Sequence, residues 1–192
     1  MVVVTSSEIG EGKTTVAAAL ARKTAADGYR VLLIDADLRR PRLAAAMNLR
    51  PEKTLEAVLN GSATLNEAVL RDPQFGVHCL LSQGNVANAM RVLASDRFKA
   101  LLAESKAAYD FVVLDSPPVL RVADAVMLAK LCRHILFIVG SGRVPGELVI
   151  EAVQRFSEED RGKIIPLLTR VRPSEMNPRD YFGGYGVSHA SL

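Results

Sequence analysis

Residues 2–15 have the sequence VVVTSSEIGEGKTT, in which a short β-branched apolar run precedes a glycine-rich turn, a lysine and two threonines. Such a turn between a buried strand and a helix directs several backbone N–H groups and the positive end of the helix to one point, which suits a phosphate chain. In this pattern the lysine reaches the outer phosphates and the next hydroxyl ligates Mg²⁺. The stretch predicts a P-loop whose phosphate-binding residues are Gly10, Glu11, Gly12, Lys13, Thr14 and Thr15.

Two departures from standard patterns bear on this interpretation. The strict P-loop pattern begins with a glycine, where this chain has Ser7. The alternative is a dinucleotide-binding turn, because Gly10 and Gly12 are followed by an acid, Asp35, about twenty residues later. Thr15 occupies the place of the third glycine of that fingerprint, and a lysine side chain stands where a pyrophosphate needs close backbone approach. The P-loop interpretation is therefore favoured.

The rest of the chain alternates between short apolar runs and helix-like segments. Runs that are apolar throughout, rather than at every second residue, are typical of strands covered on both faces. Alternation of such strands with helices predicts an α/β fold of three layers, a P-loop NTPase fold with a mostly parallel sheet and helices on both faces. The predicted strands are Val2–Thr5, Val31–Asp35, Val77–Leu81, Phe111–Asp115, Ile135–Val139 and Ile164–Leu168. The predicted helices are Thr14–Ala26, Asp96–Ala107, Ala123–Leu131 and Pro145–Phe156, with one or two short helices in residues 51–70.

Carboxylates follow two of the predicted strands. Asp35 and Asp37 end the second strand and begin the next loop, and Asp115 ends the strand that starts at Phe111. The carboxyl ends of parallel strands form the crevice in which ligands bind in open α/β sheets. Carboxylates there can hold the water shell of Mg²⁺ or accept a proton from an attacking hydroxyl. For Asp35 the alternative is a structural role, as the cap of the next helix.

Composition excludes several other classes of protein. The chain has 192 residues, 49% of them hydrophobic and 23% charged, which is typical of a single globular domain. The formal charge of +3 is too small to argue for a nucleic-acid partner, and we expect none. No apolar run approaches the ~18–20 residues that would cross a bilayer. Cys79 and Cys132 are far apart in the sequence, so neither a disulfide framework nor a zinc site is expected.

The composition changes near residue 172. From there the sequence is rich in proline, glycine and tyrosine and lacks the apolar period of a buried element. We therefore expect a P-loop domain over residues 1–171 and a flexible tail over residues 172–192.

Three segments together resemble a known family. TSSEIGEGKTT, VLLIDADLRRPRL and YDFVVLDSPPV are similar to the Walker A, second acidic and Walker B motifs of the bacterial tyrosine kinases of the exopolysaccharide co-polymerase group. That group is a branch of the deviant-Walker P-loop ATPases, which also contain the MinD and ParA proteins. The most discriminating feature is the spacing of Asp35, Asp37 and Arg39. Glu8 stands where MinD and ParA proteins usually have a lysine.

The resemblance implies a function and roles for individual residues. It implies an autokinase that uses ATP and Mg²⁺ and transfers the γ-phosphoryl group to tyrosines of its own tail, here Tyr181 and Tyr185. Residues 167–171 resemble the end of the family's sixth strand, where Arg170 is expected to contribute to nucleotide binding and Thr169 replaces an asparagine expected to touch the adenine. Asp37 is the first choice for the base that accepts the tyrosine proton. The expected catalytic residues are Lys13, Asp35, Asp37, Arg39 and Asp115, and the expected metal ligands are Thr14, Asp35 and Asp115.

The resemblance also implies partners and a location. We expect self-association, in a ring or transiently, and a membrane co-polymerase segment, either fused upstream or separate, in a system that synthesises and exports polysaccharide. The expected location is the cytoplasm, at the inner face of the bacterial plasma membrane, through an anchor outside this chain. Two alternatives stay open. One is an ATPase switch of the MinD or ParA kind, in which water is the nucleophile, and the other is a nucleotide-binding regulatory module with weak or no kinase activity.

Overall fold

A seven-stranded sheet forms the centre of the protein, in a computed structural model that describes residues 1–172. The strand order is β3-β4-β2-β5-β1-β6-β7, and all neighbours are parallel except β3 and β4. The strands are β1 (Val2–Ser6), β2 (Val31–Asp35), β3 (Leu70–Arg71), β4 (His78–Leu80), β5 (Phe111–Asp115), β6 (His134–Gly140) and β7 (Ile164–Thr169).

Helices connect the strands and cover the sheet. The two longest, α1 (Lys13–Ala26) and α6 (Asp96–Ala108), lead into β2 and β5. The remaining helices of the described residues are α2 (Leu43–Met47), α3 (Leu55–Asn60), α4 (Leu65–Ala68), α5 (Ala89–Leu93), α7 (Asp124–Ala129), α8 (Gly146–Gln154) and α9 (Glu158–Arg161). None of these helices is long and apolar enough to span a bilayer.

Two hydrophobic cores lie on opposite faces of the sheet. On one face Leu33 of β2 belongs to the same buried cluster as Ala17 and Ala21 of α1. On the other face Ile34, the next residue of β2, packs in a cluster with Phe98 of α6. Successive side chains of a strand point to opposite faces, so strands apolar at every position supply both cores. The arrangement confirms the predicted α/β fold with three layers.

Most of the predicted elements are present. The six predicted strands are found with ends shifted by no more than one residue, and the short helices of residues 51–70 are α3 and α4, separated at Gly61. Strand β3 was not expected, since two residues carry no periodic signal, and it pairs with β4 in antiparallel fashion. Helices α2, α5 and α9 were also missed, because segments of four or five residues are too short to show a helical period.

The register of the central strands places the expected acids side by side. Asp35 at the end of β2 is the register partner of Asp115 at the end of β5, which in turn is the partner of Val4 in β1. The backbone N–H of Ala36 donates to the carbonyl of Asp115 at 2.8 Å, so the pairing continues past the strand ends. The glycine-rich turn after β1 therefore meets both acids at one edge of the sheet.

Candidate active site

The glycine-rich turn has the backbone conformation that its glycines allow. Gly10 has φ of 89° and Gly12 has φ of 97°, both in the left-handed region that side chains disfavour. Gly12 is also the N-cap of α1, so the turn passes directly into the first helical residue, Lys13. The N–H groups at this helix end have no side-chain cap and are free to bind an anion.

Glu11 lies within this turn, but its side chain is fully buried and serves the protein interior. One carboxylate oxygen accepts the backbone N–H of Glu8 at 2.7 Å, and the other accepts the N–H of Gly140, at the end of β6, at 2.8 Å. This role was missed in the sequence. The signal that could have indicated it is the acid itself, because a carboxylate beside a phosphate site is unfavourable unless other groups satisfy its charge. Only the backbone of Glu11 is left to contact a phosphate.

Thr169, the last residue of β7, holds the same turn from a second side. Its hydroxyl donates to the carbonyl of Glu11 at 2.6 Å, and a Cβ added to Gly12 would lie 3.7 Å from that hydroxyl oxygen. Thr169 replaces the asparagine that the family resemblance expects at the adenine, and its hydroxyl contacts the turn. Arg170 follows with φ of 57° and an exposed side chain, and Thr15 is exposed in the first turn of α1.

Glu8 joins the turn to the loop that follows β5. Arg121 donates from Nε to a carboxylate oxygen of Glu8 at 2.7 Å. The residue that stands in place of the lysine of MinD and ParA proteins is thus an anion with its own partner. It contributes to the position of the turn.

Asp35 is held by backbone N–H groups. One oxygen accepts the N–H of Leu43, the first residue of α2, at 3.0 Å, and the other accepts the N–H of Asp37 at 3.3 Å. The contact with α2 is the structural role that the sequence left open as an alternative. Burial and the nearby Asp115 nevertheless raise the pKa of Asp35 well above its ordinary value, so the two backbone contacts do not offset the cost of the buried charge.

Asp115 is less well satisfied than Asp35. It is 1% exposed, and none of residues 1–172 forms a hydrogen bond with its Oδ1 atom. The nearby Thr14 hydroxyl lowers the pKa of this carboxyl. Burial raises the pKa of Asp115 to about 6, against the opposing effects of Lys13 and Thr14. An unpartnered buried carboxylate beside a second acid indicates a place where a cation would be stabilised.

The donors at this edge of the sheet fit Mg²⁺. The hydroxyl of Thr14 and the carboxylates of Asp35 and Asp115 are all oxygen ligands, which Mg²⁺ prefers. Among residues 1–172 no three histidine, cysteine or acidic side chains are close enough to hold a metal ion by themselves. Mg²⁺ differs from other metals in binding through one or two protein groups together with phosphates and waters, so this sparse set is the kind it uses.

Asp37 differs from the other two acids because it borders a cavity. It is 6% exposed, and one of its oxygens accepts the backbone N–H of Arg40 at 3.0 Å. The cavity has a volume of about 320 Å³ and also contacts Lys13 and the two prolines after β5, Pro117 and Pro118. A larger cavity of about 600 Å³ lies between α3 and α5 and contacts none of these acids, so the smaller one is the candidate site.

Arg39 also lines this cavity, but its guanidinium has a partner. Its Nε and one terminal nitrogen donate to the two carboxylate oxygens of Asp124, at 2.9 and 3.3 Å. Asp124 raises the pKa of Arg39 and is itself fully buried at the start of α7. The role of Asp124 was missed in the sequence because no nearby residue shows which cation it meets.

Comparisons with known proteins now identify the family. An AAA domain family model matches residues 1–138. The tyrosine-protein kinase YwqD of Bacillus subtilis is 33% identical over 182 residues, which cover 95% of this chain and 77% of YwqD. The chain belongs to the bacterial tyrosine-kinase family. The solved VpsO kinase domain has a TM-score of 0.82 to this kinase chain and 32% identity, over 89% of this chain and 84% of that one.

Some relatives of this bacterial tyrosine kinase are much longer than the chain itself. The succinoglycan biosynthesis transport protein ExoP of Rhizobium meliloti is 33% identical over 153 residues, which cover 78% of this chain and 19% of ExoP. The kinase chain therefore corresponds to a small part of ExoP and to most of YwqD.

The structure of this bacterial tyrosine kinase brings together most of the residues that the sequence assigned to its site. Lys13, Thr14, Asp35, Asp37 and Asp115 meet at the ends of β1, β2 and β5. Arg39 lies at the same edge but is paired, and the side chain of Glu11 faces away. Tyr181, Tyr185 and all but the first residue of the expected tail lie outside the described residues, so their roles and the division at residue 171 stay predictions.

Proposed function

We propose that this chain is an ATP- and Mg²⁺-dependent tyrosine autokinase whose acceptors are Tyr181 and Tyr185 of its own C-terminal segment. One observation carries the proposal: Lys13 of the P-loop and the carboxylate Asp37 border the same cavity. A phosphate chain on the turn would present its outer end to that cavity. An acceptor hydroxyl entering the cavity would then meet both the phosphorus and a proton acceptor.

The protein's part in this reaction is to position the reactants and stabilise charge. The backbone N–H groups from Gly10 to Thr14 hold the phosphates, and Lys13 neutralises charge on the outer two. Thr14 and Asp115 would hold Mg²⁺, with Asp35 beside them. When bound, the ion would neutralise charge on the β- and γ-phosphates.

The chemical step is one phosphoryl transfer. The phenol oxygen of tyrosine bonds to the γ-phosphorus while the bond from that phosphorus to the β–γ bridging oxygen breaks, so ADP leaves with the bond's electrons. The phenolic proton passes to a carboxylate, for which Asp37 is the best-placed acid. Asp35 is fully buried with both oxygens occupied by backbone N–H groups, and Asp115 is buried beside Thr14. Asp37 alone of the three borders the cavity.

The cellular role that we propose follows from the names of the relatives. YwqD is named a tyrosine-protein kinase, and ExoP is named a succinoglycan biosynthesis transport protein. By analogy, this chain would regulate the synthesis and export of an extracellular polysaccharide, together with a membrane co-polymerase and further copies of itself. It would act at the inner face of the bacterial plasma membrane.

Intact mass and phosphotyrosine detection test the proposed activity. The purified chain is treated with phosphatase and then incubated with ATP and Mg²⁺. We expect mass additions of one or two phosphates, all lost in the Tyr181→Phe, Tyr185→Phe double variant. Tyr29 is 52% exposed and supplies a matched control, so Tyr29→Phe should leave the additions unchanged. Phosphate that persists in the double variant would contradict the assignment of Tyr181 and Tyr185 as the acceptors.

Variants of the site separate the kinase from the two other functions. Lys13→Met should abolish phosphotransfer, whereas Lys99→Met, a substitution on the exposed face of α6, should not. Release of inorganic phosphate without phosphotyrosine would support an ATPase switch. Nucleotide binding with neither product would support a regulatory module.

A further inference from the structure

The cavity beside Lys13 and Asp37 is strongly cationic. Asp37 is its only carboxylate among the described lining residues, and the cationic side chains are Lys13, Arg39, Arg40, Arg42 and Arg121. Asp124 pairs with Arg39 and Glu8 pairs with Arg121, so two of these charges are satisfied within the protein. If Lys13 serves the outer phosphates, two cationic side chains of the described lining stay unassigned.

Arg40 and Arg42 carry this remaining charge. Both are exposed, and neither forms an ion pair with any carboxylate among residues 1–172. Arg39 lies on the same loop but differs from them, because its guanidinium forms a bidentate ion pair with Asp124. Two unpaired guanidinium groups on a cavity wall form a site for anionic groups, and carboxylates match their planar donors.

The backbone holds these two arginines in place through the acids of the active site. The N–H of Arg40 donates to Asp37, and Arg42 is the N-cap of α2, whose first N–H donates to Asp35. Pro41 lies between them and packs so closely on Gly84 that a Cβ added there would come within 2.5 Å of the proline ring. Unpaired side chains on a fixed loop are suited to select a ligand.

We propose that Arg40 and Arg42 select acceptor tyrosines that have an acidic residue next to them, and that they do so by binding that residue's carboxylate. This inference rests on the proposed kinase function. The chain's own sequence distinguishes its two acceptors in this respect. Tyr181 follows Asp180, whereas Tyr185 lies between Gly184 and Gly186. The cavity therefore favours Tyr181 over Tyr185.

The initial rates of phosphorylation at the two tyrosines, resolved by peptide mass spectrometry on the full chain, test this selection. One charge-assisted hydrogen bond in the transition state corresponds to about a tenfold difference in rate, so Tyr181 should exceed Tyr185 by about that factor. Asp180→Asn should bring the ratio close to one, and so should the double variant Arg40→Gln, Arg42→Gln. Arg50→Gln is the matched control, an exposed arginine outside the cavity, and should keep the ratio.

Combined variants distinguish a direct contact from a general loss of activity. If Asp180 binds these arginines, Asp180→Asn should change nothing further in the Arg40→Gln, Arg42→Gln background. Gly184→Asp should raise the rate at Tyr185 in the wild-type background about tenfold and have little effect in the arginine variant. A structural role for the arginines would lower both rates together and leave their ratio unchanged.

The possible results separate this inference from the function on which it rests. Equal rates at Tyr181 and Tyr185 in the wild-type chain would overturn the selection while the kinase function stands. A raised KM for ATP in the arginine variant, with an unchanged ratio, would assign the arginines to the nucleotide and also overturn it. An absence of phosphate at both tyrosines would instead contradict the proposed function.

Discussion

Arg39 and Asp124, 85 positions apart in the chain, form a bidentate ion pair at the edge of the active site. The carboxylate is fully buried, and each of its oxygens accepts one hydrogen bond from Arg39. The pair joins the loop after β2 to the start of α7. Arg39 therefore lies at the cavity with its charge paired, on the loop that carries Asp37.

Removal of Arg39 should destabilise the fold, because it leaves the buried carboxylate of Asp124 unpaired. We expect Arg39→Met to lower the free energy of unfolding by about 3 kcal/mol, as measured by urea denaturation. Arg121→Met is the control, since its partner Glu8 is partly exposed and its loss should cost less than about 1 kcal/mol. The double variant Arg39→Met, Asp124→Leu should recover much of the loss. Equal costs for the two single variants would contradict the role assigned to Asp124.

Thr169→Val should loosen the P-loop, since it removes the hydroxyl that bonds to the carbonyl of Glu11 while it keeps the size of the side chain. We expect a loss of about 1 kcal/mol in stability and a severalfold loss in nucleotide affinity, measured by calorimetric titration. Thr169→Ser retains the hydroxyl and should bind nucleotide nearly as the wild type does. A Thr169→Val variant that binds nucleotide as tightly as the wild type would show that this hydrogen bond does not hold the turn.

Glu11→Gln should disturb the same turn from its buried side. The carboxylate accepts N–H groups from Glu8 and Gly140, whereas an amide has one oxygen and would set its own N–H₂ against one of these donors. We expect a loss of about 1–3 kcal/mol in urea denaturation. Glu52→Gln, at an exposed position outside the turn, is the control and should stay within about 0.5 kcal/mol of the wild type. A wild-type value for Glu11→Gln would show that the turn does not depend on these two bonds.

Asp115→Asn should stabilise the ligand-free protein while it abolishes phosphotransfer. Burial raises the pKa of Asp115 to about 6 from an ordinary value of 3.8, so the folded state binds its proton more tightly than the unfolded state does. The protonated carboxyl therefore contributes to the free energy of unfolding. That contribution is complete below about pH 3.8 and is lost as the pH rises through about 6. At pH 7.5 in EDTA, the free energy of unfolding of the asparagine variant should therefore be about 1–3 kcal/mol higher than that of the wild type.

The pH dependence of that difference gives the sharper measurement. The advantage of Asp115→Asn should shrink as the pH falls from 7.5 to 5, because the wild-type carboxylate then gains its proton. Asp27→Asn, a change at an exposed carboxylate at the end of α1, should show no such trend. An Asp115→Asn variant less stable than the wild type at pH 7.5 would mean that the ionised carboxylate is satisfied in the ligand-free protein.

Sequence patterns predicted the fold wherever the signal was local. The strands β1, β2 and β5 consist of continuous apolar runs, and the run alone identifies a strand buried on both faces. The two-residue strand β3 and the five-residue helix α2 were missed because so few residues show no period. Both form because neighbouring elements supply their partners: β4 for the strand, and Asp35 for the first N–H of the helix.

The candidate site was likewise predicted only where the signal was local. The P-loop and its Lys13 and Thr14 follow from the glycine spacing, and the acids Asp35 and Asp115 follow from their places at strand ends. The roles of Asp124 and Thr169 did not follow, since their partners lie 85 and 158 positions away in the chain. No pattern in the sequence distinguishes an acid that is buried against an arginine from an acid that is exposed to solvent.

Local sequence patterns were sufficient to predict a P-loop, a parallel sheet and acids at the ends of two strands. Those features depend on residues close together in the chain: glycines that permit a left-handed turn, and apolar runs that require burial. The tertiary structure decided which charges are satisfied. Within residues 1–172 it pairs Arg39 with Asp124, gives Arg40 and Arg42 no ion pair, turns Glu11 inward to Gly140 and leaves one buried oxygen of Asp115 without a hydrogen bond. These outcomes depend on the strand order, which brings together residues 85 to 129 positions apart, and on the low dielectric that the packed layers impose on them.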